Sequence, residues 1–265
     1  YIYPNYVFTK NLENSYNGNL GFFSSGYQKK YDTNRYDAVN INDIIYSSKQ
    51  HISKKGFIND FSYIIKNVNT DGSSSLNYKN SFDNKLLSKI VYNSKLPLIK
   101  RNTNNTKYFT PKMSLSFSPS ETKNINSNDN RIKYLDLFAL NRVNSDDMIE
   151  GGESLTLGIE SRYDNSLNQE IFSLSVGQVY RFEENPDLPI ISSIGNKRSD
   201  LIGKLKFSPT DLVNLNYSFS ADKDLEKTNY NFLETVFKTN NFNTTFGFLE
   251  DNSFLGEKSF ISNET

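Results

Sequence analysis

Cysteine and tryptophan are absent, histidine occurs once, and no stretch of the chain is continuously apolar. Without cysteine there is no disulfide scaffold, thiolate metal site or cysteine nucleophile. His51, the single imidazole, has no acidic cluster beside it and reads as an exposed turn or strand residue. No run approaches the ~18 apolar residues of a transmembrane helix, which excludes a helical membrane protein. A β-barrel stays open, because its strands need only ~9–11 alternating residues. An excess of one charge is also missing. Thirty Lys and Arg balance thirty Asp and Glu, so the basic surplus of a nucleic-acid binder is not there. No phosphate-binding glycine loop, nucleophile elbow or metal-ligand spacing occurs, so neither enzyme activity nor a cofactor or metal is expected.

What is present is an unusual pair of properties. Mean hydropathy is −0.62, yet 14% of the residues are aromatic. Disordered chains lack aromatic and β-branched residues. A polar chain rich in Tyr and Phe suggests strands with one apolar and one wet face. Clustered asparagines suit turns. Period-two alternation is cleanest in the second half. Val213, Leu215, Tyr217, Phe219 and Ala221 alternate with Asn214, Asn216, Ser218, Ser220 and Asp222. Phe172, Leu174, Val176, Tyr180 and Phe182 share a face interrupted only by Gln178, while Ile171 and Val179 fall on the polar side. Similar runs occupy Met113–Ser118, Ser154–Glu160, Leu201–Ser208 and Phe242–Phe248. In the first half Phe57, Phe61, Tyr63 and Ile65 alternate with Asp60, Ser62 and Lys66, with Ile58 and Ile64 as exceptions. Leu76, Tyr78 and Phe82 share another face, as do Ile90 and Tyr92.

Turn signals separate these runs at Asn69-Thr70-Asp71-Gly72, Ser118-Pro119-Ser120, Ser208-Pro209-Thr210-Asp211 and Thr239-Asn240-Asn241. Long polar loops are expected over 122–131 and 184–199, and no capped helical stripe stands out. About ten strands are expected, in an all-β antiparallel meander. A soluble sandwich and an outer-membrane barrel both fit this pattern. Strands of ~9–10 residues with Ser, Asn, Lys and Asp on one face favour the barrel, with aromatics facing lipid. Both chain ends read as cuts, so 1–265 is expected to be one partial barrel domain.

The stretch from Leu137 to Phe182 is more specific. It carries Leu137-Phe138, Asn141-Arg142, Asp147-Met148-Ile149-Glu150, Ser161-Arg162-Tyr163-Asp164 and Ser175-Val176-Gly177-Gln178-Val179-Tyr180-Arg181-Phe182. These pieces and their order resemble the C-terminal barrel domain of the LptD family. Tyr108 to Pro119 and the hairpins after Ser199-Asp200-Leu201 extend the likeness. Met148 stands where the family usually has Arg, and the family's cysteines are missing. The resemblance implies transport rather than catalysis, in the outer membrane of a Gram-negative bacterium. It implies lipopolysaccharide as substrate, an LptE-like lipoprotein plug, a periplasmic Lpt bridge reached through an N-terminal domain, and surrounding membrane lipid. Its motif residues here are Asn141, Arg142, Asp147, Glu150, Arg162 and Gln178.

Three further features bear on a lumen. Gly151 and Gly152 precede a strand and read as turn or bulge geometry, with an inward fold of Asn141 to Gly152 as the alternative. Lys204 and Lys206 share one strand face and would meet anionic sugars or phosphates if that face is the lumen. The Asn-rich loop 126–130 offers alternate oxygen ligands without the Gly and terminal Glu of an EF-hand, and reads as solvated. A porin or substrate channel, and a soluble sugar-binding or adhesin sandwich, are the competing functions.

Overall fold

The computed structural model describes residues 2–12, 17–129, 131–239, 242–252 and 258–264. Fifteen strands account for most of them. The first eight are β1 (Ile2–Leu12), β2 (Gly18–Lys30), β3 (Tyr36–Ser48), β4 (His51–Ile52), β5 (Ile58–Ser73), β6 (Asp83–Lys95), β7 (Leu98–Asn102) and β8 (Asn105–Ser118). The rest are β9 (Gly152–Asn165), β10 (Glu170–Arg181), β11 (Leu201–Thr210), β12 (Val213–Ala221), β13 (Thr228–Lys238), β14 (Asn243–Asp251) and β15 (Lys258–Glu264). All belong to one antiparallel sheet ordered β1-β2-β3-β5-β6-β8-β9-β10-β11-β12-β13-β14-β15, with β4 on β5 and β7 on β8. Among the described residues the helices are two short 3-10 turns, Tyr134–Phe138 and Ile190–Ser192.

Register assigns every side chain to one of two faces. Leu115, Leu155 and Tyr180 lie in one row, as do Val176, Gly203 and Phe219. Tyr163, Phe172 and Phe207 form an aromatic row near the short connections. The opposite face pairs Ser114 with Thr156, Ser175 with Glu160 and Lys204, and Lys206 with Asn216. Over β8 to β12 one face of the wall is therefore apolar and aromatic, and the other is polar. That is the pattern of a transmembrane β-barrel wall, in which lipid-facing and lumen-facing residues alternate.

The polar face is concave. One loop segment touches strands far apart in the order. Ile149 packs with Val39 and Ile41 of β3, and Leu140 joins that cluster. Arg131 pairs with Asp251 at the end of β14 through two bonds of 2.9 Å. A flat sheet cannot bring β3 and β14 to the same short segment, so the wall wraps around it.

Three sequence expectations are corrected. Asn69-Thr70-Asp71-Gly72 is the continuation of β5, paired with residues 37–40 of β3. The real turn follows at Ser74, whose φ is 51°. Leu76, Tyr78 and Phe82 lie in the connection between β5 and β6, not in a strand. Among the described residues the strands also number fifteen rather than about ten, because no alternating run marked β1 to β3, the short β4 and β7, β13 or β15. The turn signal at Asn240-Asn241 and residue Asn130 of the Asn-rich loop lie outside the described residues.

Candidate functional site

Two long connections leave the same end of the wall and fold back against its polar face. One joins β8 to β9 (119–151) and the other joins β10 to β11 (182–200). They are stitched together by backbone bonds, Ile125 N–H to Asp187 O at 2.8 Å and Ile190 N–H to Asn126 O at 3.1 Å. Their shared core buries Ile125, Ile132, Leu137, Val143, Met148, Leu188 and Ile194. Val179 and Ile202 of the wall complete it. The loops thus form a small plug with its own apolar core, docked inside the wall. Residues 141–151 belong to this plug, in line with the inward fold that stood as the alternative to turn or bulge geometry at Gly151-Gly152, and Gly152 opens β9.

Two glycines of the wall make room for the docking. Gly158 and Gly177 face each other across β9 and β10. A Cβ on Gly158 would lie 2.7 Å from the Phe138 ring, and one on Gly177 would lie 2.8 Å from Leu137 Cδ1. The 3-10 turn Tyr134–Phe138 therefore sits in a groove floored by backbone. Its rim is polar. Tyr134 Oη donates to Glu160 Oε1 at 3.1 Å, and Lys112 Nζ donates to the same oxygen at 2.9 Å while lying 4.2 Å from the Phe138 ring centre.

Glu150 is the electrostatic centre of the plug. Arg142 binds it through Nε and Nη2 at 2.6 and 2.7 Å, and Arg142 Nη1 continues to Thr156 Oγ1 at 3.0 Å. Arg181 donates to Glu150 and to the Gly151 carbonyl. Lys89 Nζ of β6 lies 3.2 Å from Glu150 Oε2. Three buried cations thus converge on one buried carboxylate. Burial alone would push the Glu150 carboxyl up, but Arg142, Lys89 and Arg181 outweigh it and hold it well below the usual carboxylate range. A carboxylate with a depressed folded pKa stabilises fully above its unfolded value, here 4.5, and loses that contribution as pH falls through the folded value. Lowering pH from 7 to 5 is therefore expected to leave the plug docked. A protease pattern unchanged across that interval is the check.

A second set of bonds anchors the neighbouring turn. Lys66 Nζ donates to Asp43 at 2.9 and 2.7 Å and to the Asp146 carbonyl at 2.7 Å. Asp147 accepts from Lys123 at 2.6 Å and from Tyr78 Oη and Ser145 Oγ at 3.1 Å each. Burial would raise the Asp147 carboxyl, but these donors hold it below its ordinary value. Met148 fills the apolar core at 1% exposure. An arginine there would be buried among apolar groups, and the cations on Glu150 come from other positions.

Of the residues singled out from sequence, Arg142, Glu150 and Gly151 meet in this cluster, and Asp147 lies beside it. Asn141 stays exposed, donating to the Ser145 carbonyl at 3.0 Å. Arg162 lies farther along β9 and is held by Asp164 at 2.7 Å. Gln178 is on the other face of the wall, level with Leu157, where its Nε2 donates to the Ser199 carbonyl at 2.7 Å. Lys204 and Lys206 face inward from β11, opposite Ser218 and Asn216. Sequence reasoning assigned no role to Lys89, Lys66 and Asp43, or Arg131 and Asp251, whose partners are distant along the chain. Between the plug and β11–β14 lies a cavity of about 610 Å³. Ile132, Tyr134, Tyr230 and Phe232 line it, with Arg131 and Lys204 at its polar edges.

A curved β-wall with an apolar exterior, a polar interior and an internal plug defines the barrel class of membrane protein. The chain belongs to the LptD family. The family model described as LPS transport system D matches residues 22–255. That family serves lipopolysaccharide transport and is one of outer-membrane proteins rather than enzymes. No curated protein matches the chain.

Proposed function

We propose that the chain forms part of the outer-membrane barrel that passes lipopolysaccharide into the outer leaflet. The observation that carries this reading is the divided interior. The plug fills the side lined by β3 to β10, and the 610 Å³ cavity remains along β11 to β14. A simple diffusion pore has no use for a plug with its own apolar core. A passage with Lys204 on its wall, and Lys206 farther along the same inner face, suits an anionic amphiphile. Barrels carry short turns at the periplasmic end and longer loops outside. Turns 166–169 and 211–212 therefore mark the periplasmic end, and connections 74–82, 119–151 and 182–200 mark the extracellular end. An LptE-like lipoprotein would share the interior from the periplasmic side, where the Lpt bridge delivers substrate. Residues 1–265 would be one part of the barrel domain, with neighbouring strands adding to β1 and β15.

Depleting the protein is expected to strip newly made lipopolysaccharide from the cell surface, followed by surface labelling of the glycolipid. Normal surface labelling, together with an ion-selective conductance of the purified protein, would make it a channel. In cells that depend on it, Lys204→Glu with Lys206→Glu is expected to slow surface delivery about thirtyfold. Reversing each luminal charge against an anionic substrate costs on the order of 1 kcal/mol.

A further inference from the structure

The outer face of β2 to β6 carries a polar field that neither the plug nor the lumen explains. Along one line across the wall the outward residues change character. Phe22, Ile44 and Ile65 are in register, and one step toward the extracellular end stand Ser24, Asn42 and Asn67. Beyond them come Asn40, Asn69 and Asn84. These strands have 13, 13, 16 and 13 residues in β2, β3, β5 and β6. A bilayer crossing needs only ~9–11. The surplus length of β5 and β6 puts Asn69 and Asn84 above the apolar belt, while Asn40 and Asn42 of β3 lie lower, at its upper part.

The amides are locked into one another. Asn42 Nδ2 donates to Asn40 Oδ1 at 2.8 Å, and Asn69 Nδ2 donates to Asn67 Oδ1 at 2.6 Å and Asn40 Oδ1 at 3.2 Å. Ser24 Oγ donates to Asn42 Oδ1 at 2.8 Å, Asn84 donates to Asn69, and Asn40 donates to the Tyr6 hydroxyl. Beside this ladder runs a groove of about 270 Å³ bounded by Tyr6, Gln28, Asn40, Asn69, Asp71 and Phe82. The Phe82 ring is 69% exposed at its edge.

We infer that this outer groove binds the neutral saccharide of glycolipids standing in the outer leaflet around the barrel. An amide offers a donor and an acceptor side by side, matching neighbouring sugar hydroxyls. A prearranged ladder spends little entropy on ordering its own side chains. An exposed aromatic face gives the apolar side of a sugar ring something to lie on. The groove lining contains no lysine or arginine and one carboxylate, Asp71, so it disfavours phosphate. Asn69, Asn84 and Phe82 stand at the height of the headgroups, given the sidedness proposed above.

The test measures binding of two probes to the detergent-purified protein by native mass spectrometry. One probe is rough lipopolysaccharide with its core sugars, and the other is lipid A with the same acyl chains and phosphates. The protein is expected to prefer the sugar-bearing probe by about tenfold, the worth of one or two net hydrogen bonds. Asn40→Ala with Asn69→Ala is expected to erase the preference, while Asn59→Ala near the other end keeps it. Phe82→Ala leaves the ladder intact and is expected to lose part of the preference, which covers the case in which the double variant misfolds. Equal affinity for both probes, a preference for lipid A, or a sugar preference that survives both Asn40→Ala/Asn69→Ala and Phe82→Ala would overturn the inference. Surface delivery of lipopolysaccharide is assayed in the same variants. Normal delivery without a sugar preference sinks the groove alone, and lost delivery on depletion still supports the transport reading.

Discussion

Glu150→Ala is expected to release the plug from the wall. The substitution leaves Arg142, Arg181 and Lys89 facing one another, each 3% exposed or less at the side chain, with no carboxylate between them. Removing one partner of a buried ion pair costs about 3–5 kcal/mol, because the remaining charge stays desolvated. Here three charges are stranded by one substitution. The ratio of docked to undocked plug should fall by at least about a hundredfold. The missing native cysteines provide a clean readout. Val143→Cys places a thiol in the plug core, where the native side chain is 2% exposed. A membrane-impermeant maleimide applied to cells should leave that thiol unmodified while Glu150 is present and label it once Glu150→Ala is added. Glu150→Gln keeps the shape and removes the charge, so it should label nearly as fast. Arg142→Met leaves Glu150 two cations and should label more slowly than either. Equal protection in all four backgrounds would mean that apolar packing alone holds the plug.

The plug is also where reading from sequence succeeded least, and the reasons are physical. β12 was legible because lipid on one side and a wet interior on the other impose strict alternation, and Val213–Ala221 obeys it. Two of the apparent defects in other strands turn out to be the footprint of the plug, while Ile171 falls at a register shift of β10. Val179 breaks the polar face of β10 and is fully buried against the plug core. Ile64 breaks the polar face of β5 and packs in the cluster that holds Ile149. An apolar residue on the wrong face marked a contact with something inside. The turn expected at Asn69–Gly72 failed for the opposite reason. Asparagine and glycine are turn residues where the backbone is free, but here they extend β5 along β3, and the Asn69 amide is used sideways on Asn67 and Asn40. The motif residues Arg142 and Glu150 were singled out in separate motif pieces, and the structure joins them. Lys89 and Arg181 could not be joined to them without the register, since one lies 61 residues and the other 31 residues from Glu150.

The groove under the 3-10 turn gives a prediction that distinguishes docking geometry from charge. Gly158→Ala is expected to loosen the plug more than Gly177→Ala. At Gly177 the new methyl meets Leu137 Cδ1 at 2.8 Å, the end of a flexible side chain, and the nearest backbone atom is 3.2 Å away. Leu137 has other rotamers available once the turn shifts slightly. At Gly158 the methyl meets Phe138 Cζ at 2.7 Å and the Val176 carbonyl at 2.9 Å. An aromatic ring held between Lys112 and Tyr134 has no comparable retreat. Overpacking of this kind costs about 1–3 kcal/mol. Protease accessibility of segment 119–151 in intact cells should therefore rise in the order wild type, Gly177→Ala, Gly158→Ala. Adding Phe138→Ala to Gly158→Ala removes the ring clash and keeps the backbone one, so protection should return in part. If Gly158→Ala alone leaves the segment as protected as in wild type, the turn is not seated on the wall. Docking would then rest on Glu150 and its cations.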